Sequence, residues 1–101
     1  DFLSQLEADE QTPAAEFVYT ALSNSTDFIE SGGYYFWDPL AAGIMANPDL
    51  ATLTQRDVTV IDVPGPDYGR TQPVGNGPRI EVATEPDSAA FIDYFMSTLN
   101  S

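Results

Sequence analysis

The sequence predicts a mixed α and β fold built of helices, then two strands, then a closing helix. Apolar residues recur at helical spacing near both ends of the chain, and the β-branched run Val58–Val63 indicates a strand. Stretches rich in glycine and proline surround the strands, as expected for turns. We interpret residues 1–101 as a single segment, because they contain no internal repeat, low-complexity tract or domain linker.

The N-terminal part of the chain carries two helical signals. Phe2, Leu3 and Leu6 share one face of a first helix, which runs into the acidic residues 7–10. Thr12-Pro13 is typical of an N-cap followed by proline at the first helical position, so a second helix is predicted over residues 13–23. Loops are then expected at two places, residues 24–26 and 31–33.

The rest of the chain predicts a third helix, two strands and a last helix. Residues 40–46 are nearly all apolar, and a helix without a polar face is expected inside a protein. The second strand is predicted around residues 80–83, with turns at 64–69 and 72–78. The last helix follows residues 85–87 and carries one apolar stripe of Phe91, Ile92, Phe95, Met96 and Leu99.

The charge balance excludes several classes of function. The chain has 16 acidic and 3 basic residues, a net charge of −13, and neither His nor Cys. Nucleic acids and anionic membranes are excluded as partners, since both are bound through Lys and Arg. Imidazole bases, thiolate nucleophiles and Cys-type zinc sites are excluded as well. Carboxylate oxygens remain, and these suit hard cations such as Ca²⁺.

Most charged residues are expected to have ordinary structural roles. The acidic residues are expected on solvated faces, and Arg70 is expected to pair with a neighbouring carboxylate or carbonyl.

Asp38 differs, because it lies between four aromatic residues, Tyr34–Trp37, and the apolar helix, and so is expected near the interior. It is interpreted either as an N-cap with Pro39 at the first helical position, the commoner role, or as a Ca²⁺ ligand at a helix start. Two roles are open for the aromatic residues. They pack in the core, as is expected of Phe36, or they stack on a planar ligand, as is expected of Trp37.

The segment from Tyr34 to Ala42 resembles the C-terminal third of the inosine–uridine nucleoside hydrolase family, where an aromatic or His residue precedes an Asp and an apolar helix. The likeness continues through Asn47–Leu50, both predicted strands and Gly69-Arg70-Thr71 to the end of the last helix. The resemblance implies that residues 1–101 form the C-terminal portion of a doubly wound α/β domain. Such a domain hydrolyses the N-glycosidic bond of ribonucleosides with the help of Ca²⁺.

The resemblance also implies roles for three residues. Asp38 matches a Ca²⁺ ligand, and Trp37 matches a substrate-binding position that is Trp in purine-preferring members. Tyr34 is a candidate for contact with the leaving base. The aspartate cluster of the family's N-terminal part does not occur here, so only a partial Ca²⁺ site is expected, with the remaining ligands outside this chain. No catalytic residue is assigned, and the chain alone is expected to be inactive.

Three functions therefore stay open. The first is the C-terminal portion of a hydrolase, working with the missing N-terminal part of the same fold. The second is a related protein that binds a sugar without hydrolysing it, and the third is a structural module whose acidity serves solubility. The expected ligand is a ribonucleoside or a sugar, and a homo-oligomer is left open. The family resemblance implies the cytoplasm, whereas the acidity and the lack of Cys favour export or the periplasm.

Overall fold

The computed structural model describes residues 2–9 and 11–101, so Glu10 in the predicted acidic stretch lies outside the described residues. Helices and an antiparallel sheet make up the described part, which confirms the prediction of a mixed α and β fold. Contacts divide the chain into two compact units. The helical unit combines the described residues up to Leu50 with Asp87–Ser101, and the sheet unit is Ala51–Pro86.

The helical unit contains five α-helices and a short 3-10 helix, Pro48–Leu50. The α-helices are α1 Phe2–Asp9, α2 Pro13–Ser23, α3 Thr26–Glu30, α4 Trp37–Ala46 and α5 Ser88–Leu99. The hydroxyl of Thr12 accepts a hydrogen bond from the Ala15 amide and caps α2, as predicted. The carboxylate of Asp87 caps α5 in the same way through the Ala90 amide. Among the described helices, none has the length and apolar character needed to cross a bilayer.

The core of the helical unit joins its helices. Leu6, Ala15, Leu50, Phe91 and Met96 are its buried apolar residues among those described. Gly43 on α4 is buried too, and a Cβ there would lie 3.3 Å from Leu50 Cδ1 and 3.5 Å from the Phe91 ring. The missing side chain therefore lets α4 approach Leu50 and α5 closely.

The sheet unit contains three antiparallel strands in the order β2-β1-β3. They are β1 Ala51–Val60, β2 Thr71–Pro73 and β3 Arg79–Pro86. The pairing of β1 with β3 shifts register between Thr52 and Leu53, and no residue of the unit is fully buried. The unit is therefore held mainly by its ladder of backbone hydrogen bonds.

Several sequence-based boundaries were wrong. The first strand begins at Ala51, seven residues before its predicted start at Val58, because alternating Thr and apolar residues extend it. A third strand, β2, occupies the start of the predicted loop, since Thr71–Pro73 pairs with Val58–Val60. The predicted loop at residues 24–26 is shortened by α3, which begins at Thr26.

The predicted start of α4 was also wrong. The Leu40 amide donates to the Phe36 carbonyl at 2.9 Å, so α4 begins at Trp37 with Phe36 as N-cap. Asp38 is the second residue of the helix and Pro39 the third, where a missing N–H costs no intrahelical hydrogen bond. Asp38 is thus not an N-cap, and it is exposed rather than near the interior.

The apolar helix α4 does not lie in an interior in this structure. Gly43 is its only buried residue, and Met45 is 87% exposed. The helix carries an apolar surface that the described part of the chain does not cover.

Candidate functional site

The aromatic segment before α4 points its side chains alternately in two directions. Residues 33–36 have no regular secondary structure. Tyr34 packs edge-on against Phe36, with ring centroids 5.1 Å apart, and Phe36 in turn packs against three phenylalanine rings of the helical unit, those of Phe2, Phe91 and Phe95. The two even-numbered rings are half-buried and belong to an aromatic cluster of the helical unit, so Phe36 packs as expected.

The odd-numbered rings form a separate exposed stack. The rings of Tyr35 and Trp37 are 5.2 Å apart at their centroids and 6° from parallel. Tyr35 is 62% exposed and Trp37 is 73% exposed. Large flat apolar rings in water are typical of sites that bind planar or ring-shaped ligands. We call this pair the aromatic stack.

Asp38 lies next to the aromatic stack in the first turn of α4. Its carboxylate is exposed and takes part in none of the hydrogen bonds or ion pairs described for residues 2–9 and 11–101. A carboxylate in this position interacts favourably with the positive end of the helix dipole, which is its ordinary structural role. The same exposure leaves its oxygens free to bind an external ligand.

Asp38 alone provides at most two of the six to eight oxygen ligands, roughly, that Ca²⁺ takes. In the described part of the chain, no group of three or more acidic, His or Cys side chains could hold a metal ion. One exposed carboxylate is not a metal site by itself, so the partial Ca²⁺ site at Asp38 stays a prediction.

The structure brings together two of the three residues singled out in the sequence. Trp37 and Asp38 are consecutive at the start of α4, whereas Tyr34 lies against Phe36. The ring beside Trp37 is instead that of Tyr35, which the sequence analysis missed. The run of four aromatic residues indicated that rings would lie close together, but the ring beside Trp37 could not be predicted because residues 33–36 have no regular secondary structure.

An apolar groove lies between α4 and α5, close to Asp38 in the sequence. Its volume is about 280 Å³, and it begins at Pro39. The residues that line it are Pro39, Ala42, Gly43, Ala46, Phe91, Tyr94, Phe95 and Thr98. It belongs to the apolar surface of α4 that the described residues of the helical unit leave uncovered.

Comparison with protein-family models, curated proteins and solved structures gives no match. The resemblance to nucleoside hydrolases therefore depends on the residues of the chain itself, chiefly Trp37–Ala42.

Proposed function

We propose that this chain is the C-terminal portion of a Ca²⁺-dependent nucleoside hydrolase that cleaves the N-glycosidic bond of purine ribonucleosides. One observation carries the proposal: Trp37 and Asp38, consecutive residues at the start of α4, are both exposed, and the Asp38 carboxylate has no partner among the described residues. A group that can receive a base and a group that can bind a cation are thus consecutive at one helix start.

The indole supplies the contact with the base. When an N-glycosidic bond breaks, positive charge develops on the ribose and negative charge on the departing base. Stacking of a base on an aromatic ring is worth about 1–3 kcal/mol, and a bicyclic purine covers more of an indole than a pyrimidine does. The negative face of the indole also favours a protonated base, so stacking on Trp37 makes the base a better leaving group.

The carboxylate of Asp38 supplies one or two oxygens to the cation. When bound, Ca²⁺ orients the ribose hydroxyls and lowers the pKa of the attacking water. Asp38 is suited to this role because its oxygens are not used by the backbone amides of α4. The aspartate-rich N-terminal part of the proposed fold provides the other ligands.

The uncovered surface of α4 supports the presence of that N-terminal part. Met45 and the groove that begins at Pro39 expose apolar area which a larger doubly wound α/β domain would cover. The described sheet unit is antiparallel throughout, so in this proposal the parallel strands of the doubly wound domain belong to the N-terminal part.

The proposal is tested by ribose release from inosine, measured on the protein that carries these residues together with its N-terminal part. Asp38→Ala is expected to lower kcat/KM by roughly a hundredfold or more, the effect of removing a group that stabilises reacting charge. Asp49→Ala is the matched control, because Asp49 is another exposed acid in the first turn of a short helix.

Chelation of divalent cations is expected to stop the reaction, and added Ca²⁺ to restore it. If Asp38→Ala releases ribose as fast as the unchanged protein, the metal role of Asp38 is wrong.

A second candidate function is a related protein that binds a carbohydrate without cleaving it. The exposed aromatic stack favours it, since sugar rings pack their apolar faces on Trp and Tyr. Calorimetric titration with saccharides and with nucleosides separates the two candidates. Heat with saccharides and no ribose release from inosine would favour the carbohydrate-binding protein.

A further inference from the structure

We infer that Tyr35 is a positioning residue, which holds the indole of Trp37 in the orientation that receives a planar base. The inference rests on the proposed function, because it concerns the same base-binding ring. It adds a residue that the family resemblance does not assign, and that residue is found from the geometry of the aromatic stack.

The indole of Trp37 is restrained by its contact with the ring of Tyr35. Trp37 is 73% exposed, and Tyr35 is the only ring in the described residues that stacks on it. An indole this exposed and without a neighbour would change rotamers freely in solution. The parallel contact at 5.2 Å fixes the plane of the indole relative to the backbone at the start of α4.

The stacked indole of Trp37 is prepared to receive a planar base. Each ring covers only part of the other, since Tyr35 stays 62% and Trp37 73% exposed, so ring surface of Trp37 remains open to a ligand. A base that packs on the open ring surface of Trp37 continues an existing stack, so the indole loses little further rotamer freedom on binding. Without Tyr35, the same ligand must also immobilise the indole, and the affinity falls.

The ring of Tyr35, and not its hydroxyl group, makes the contact with Trp37. The phenol oxygen takes part in none of the hydrogen bonds described for the chain, so only the ring contributes to the stack. Tyr35→Phe should therefore behave as the unchanged chain does, and Tyr35→Leu should not. Tyr68→Leu is the matched control, since Tyr68 is similarly exposed, at 66%, and lies in the sheet unit.

The experiment uses the 101-residue chain, in which Trp37 is the single tryptophan and reports on itself alone. Without ligand, Tyr35→Leu is expected to speed the local anisotropy decay of the indole fluorescence, whereas Tyr35→Phe and Tyr68→Leu leave it unchanged. On the protein that carries these residues together with its N-terminal part, calorimetric titration with inosine as the probe gives the Kd. Tyr35→Leu is expected to raise this Kd about three- to tenfold, and the other two variants to change it less than about twofold.

Two results would overturn the inference. An unchanged anisotropy decay in Tyr35→Leu would mean that Tyr35 does not restrain the indole, whatever the ribose-release assay gives for Asp38→Ala. An unchanged inosine Kd in Tyr35→Leu, measured on the protein with its N-terminal part, would mean that the restraint on the indole does not serve base binding. The proposed function is tested separately, by measuring ribose release with the Asp38→Ala variant.

Discussion

The helical unit and the sheet unit of this chain are stabilised in different ways. All the buried apolar residues of the described chain, Leu6, Ala15, Leu50, Phe91 and Met96, belong to the helical unit. The sheet unit has no fully buried residue and depends on the hydrogen bonds among its three strands. The aromatic stack and Asp38 lie at the start of α4, in the unit that has a packed core. The side chains of the proposed site thus belong to the unit that has a packed core.

The largest effect is expected from opening the core of the helical unit. Phe91 is buried, contacts the rings of Phe36 and Phe95, and lies beside Gly43. Phe91→Ala should lower the free energy of unfolding by about 3–5 kcal/mol, because it removes buried apolar area and leaves a cavity. Urea unfolding of the chain followed by circular dichroism measures the change.

Phe17 on α2 provides the matched control for Phe91. It is the same residue type in a helix of the same unit, but it is exposed. Phe17→Ala should change the free energy of unfolding by less than about 0.5 kcal/mol. Equal losses in the two variants would contradict the position assigned to the core.

A smaller effect is expected from a single methyl group in the sheet unit. A Cβ at Gly77 would lie 2.5 Å from Val74 Cγ2 and 2.6 Å from the Val58 carbonyl oxygen of β1. Gly77→Ala should therefore push the turn away from β1 and lower the free energy of unfolding by about 1–3 kcal/mol. Hydrogen exchange of the amides of β1 and β2 should quicken as the pairing weakens.

Gly75, two residues earlier in the same turn, has nothing within 4 Å of the corresponding Cβ position. Gly75→Ala should leave exchange in the sheet unit close to that of the unchanged chain. If both substitutions quicken exchange equally, the close approach of Gly77 to β1 is not what holds this turn.

Features that depend on neighbours in sequence could be predicted, and those that depend on distant pairing could not. The role of Thr12 as the N-cap of α2 and the start of the last helix were predicted correctly, because a cap bonds an amide only three residues along the chain. The strand β2 was missed, since three residues pair only where Val58–Val60 provides a partner. Such pairing across a connection leaves almost no trace in the sequence.

In the candidate site, too, neighbours in the sequence were predicted correctly and neighbours in space were not. The sequence identified Trp37 and Asp38 as neighbours, and their exposure at the start of α4 keeps both available. It also grouped Tyr34 with them, although the alternation of the segment sends Tyr34 toward Phe36 and Tyr35 toward Trp37. The Asp-Pro pair favoured an N-cap at Asp38, yet the bond from Leu40 to Phe36 starts the helix earlier.

The smallest effect is expected at the ion pair between Arg79 and Asp57, which lie opposite each other on β3 and β1 at 2.8 Å. Arg79→Met should lower the free energy of unfolding by about 1 kcal/mol, since Arg79 itself is exposed although its partner Asp57 is not. Arg70→Met should cost less still. Asp67, the partner of Arg70, is open to water, whereas the Asp57 side chain is only 15% exposed and loses its compensating charge when Arg79 is removed. At a salt concentration of about 1 M the difference between the variants should shrink through screening. A loss above about 2 kcal/mol for Arg79→Met would mean that charge, rather than the backbone ladder, holds the sheet unit together.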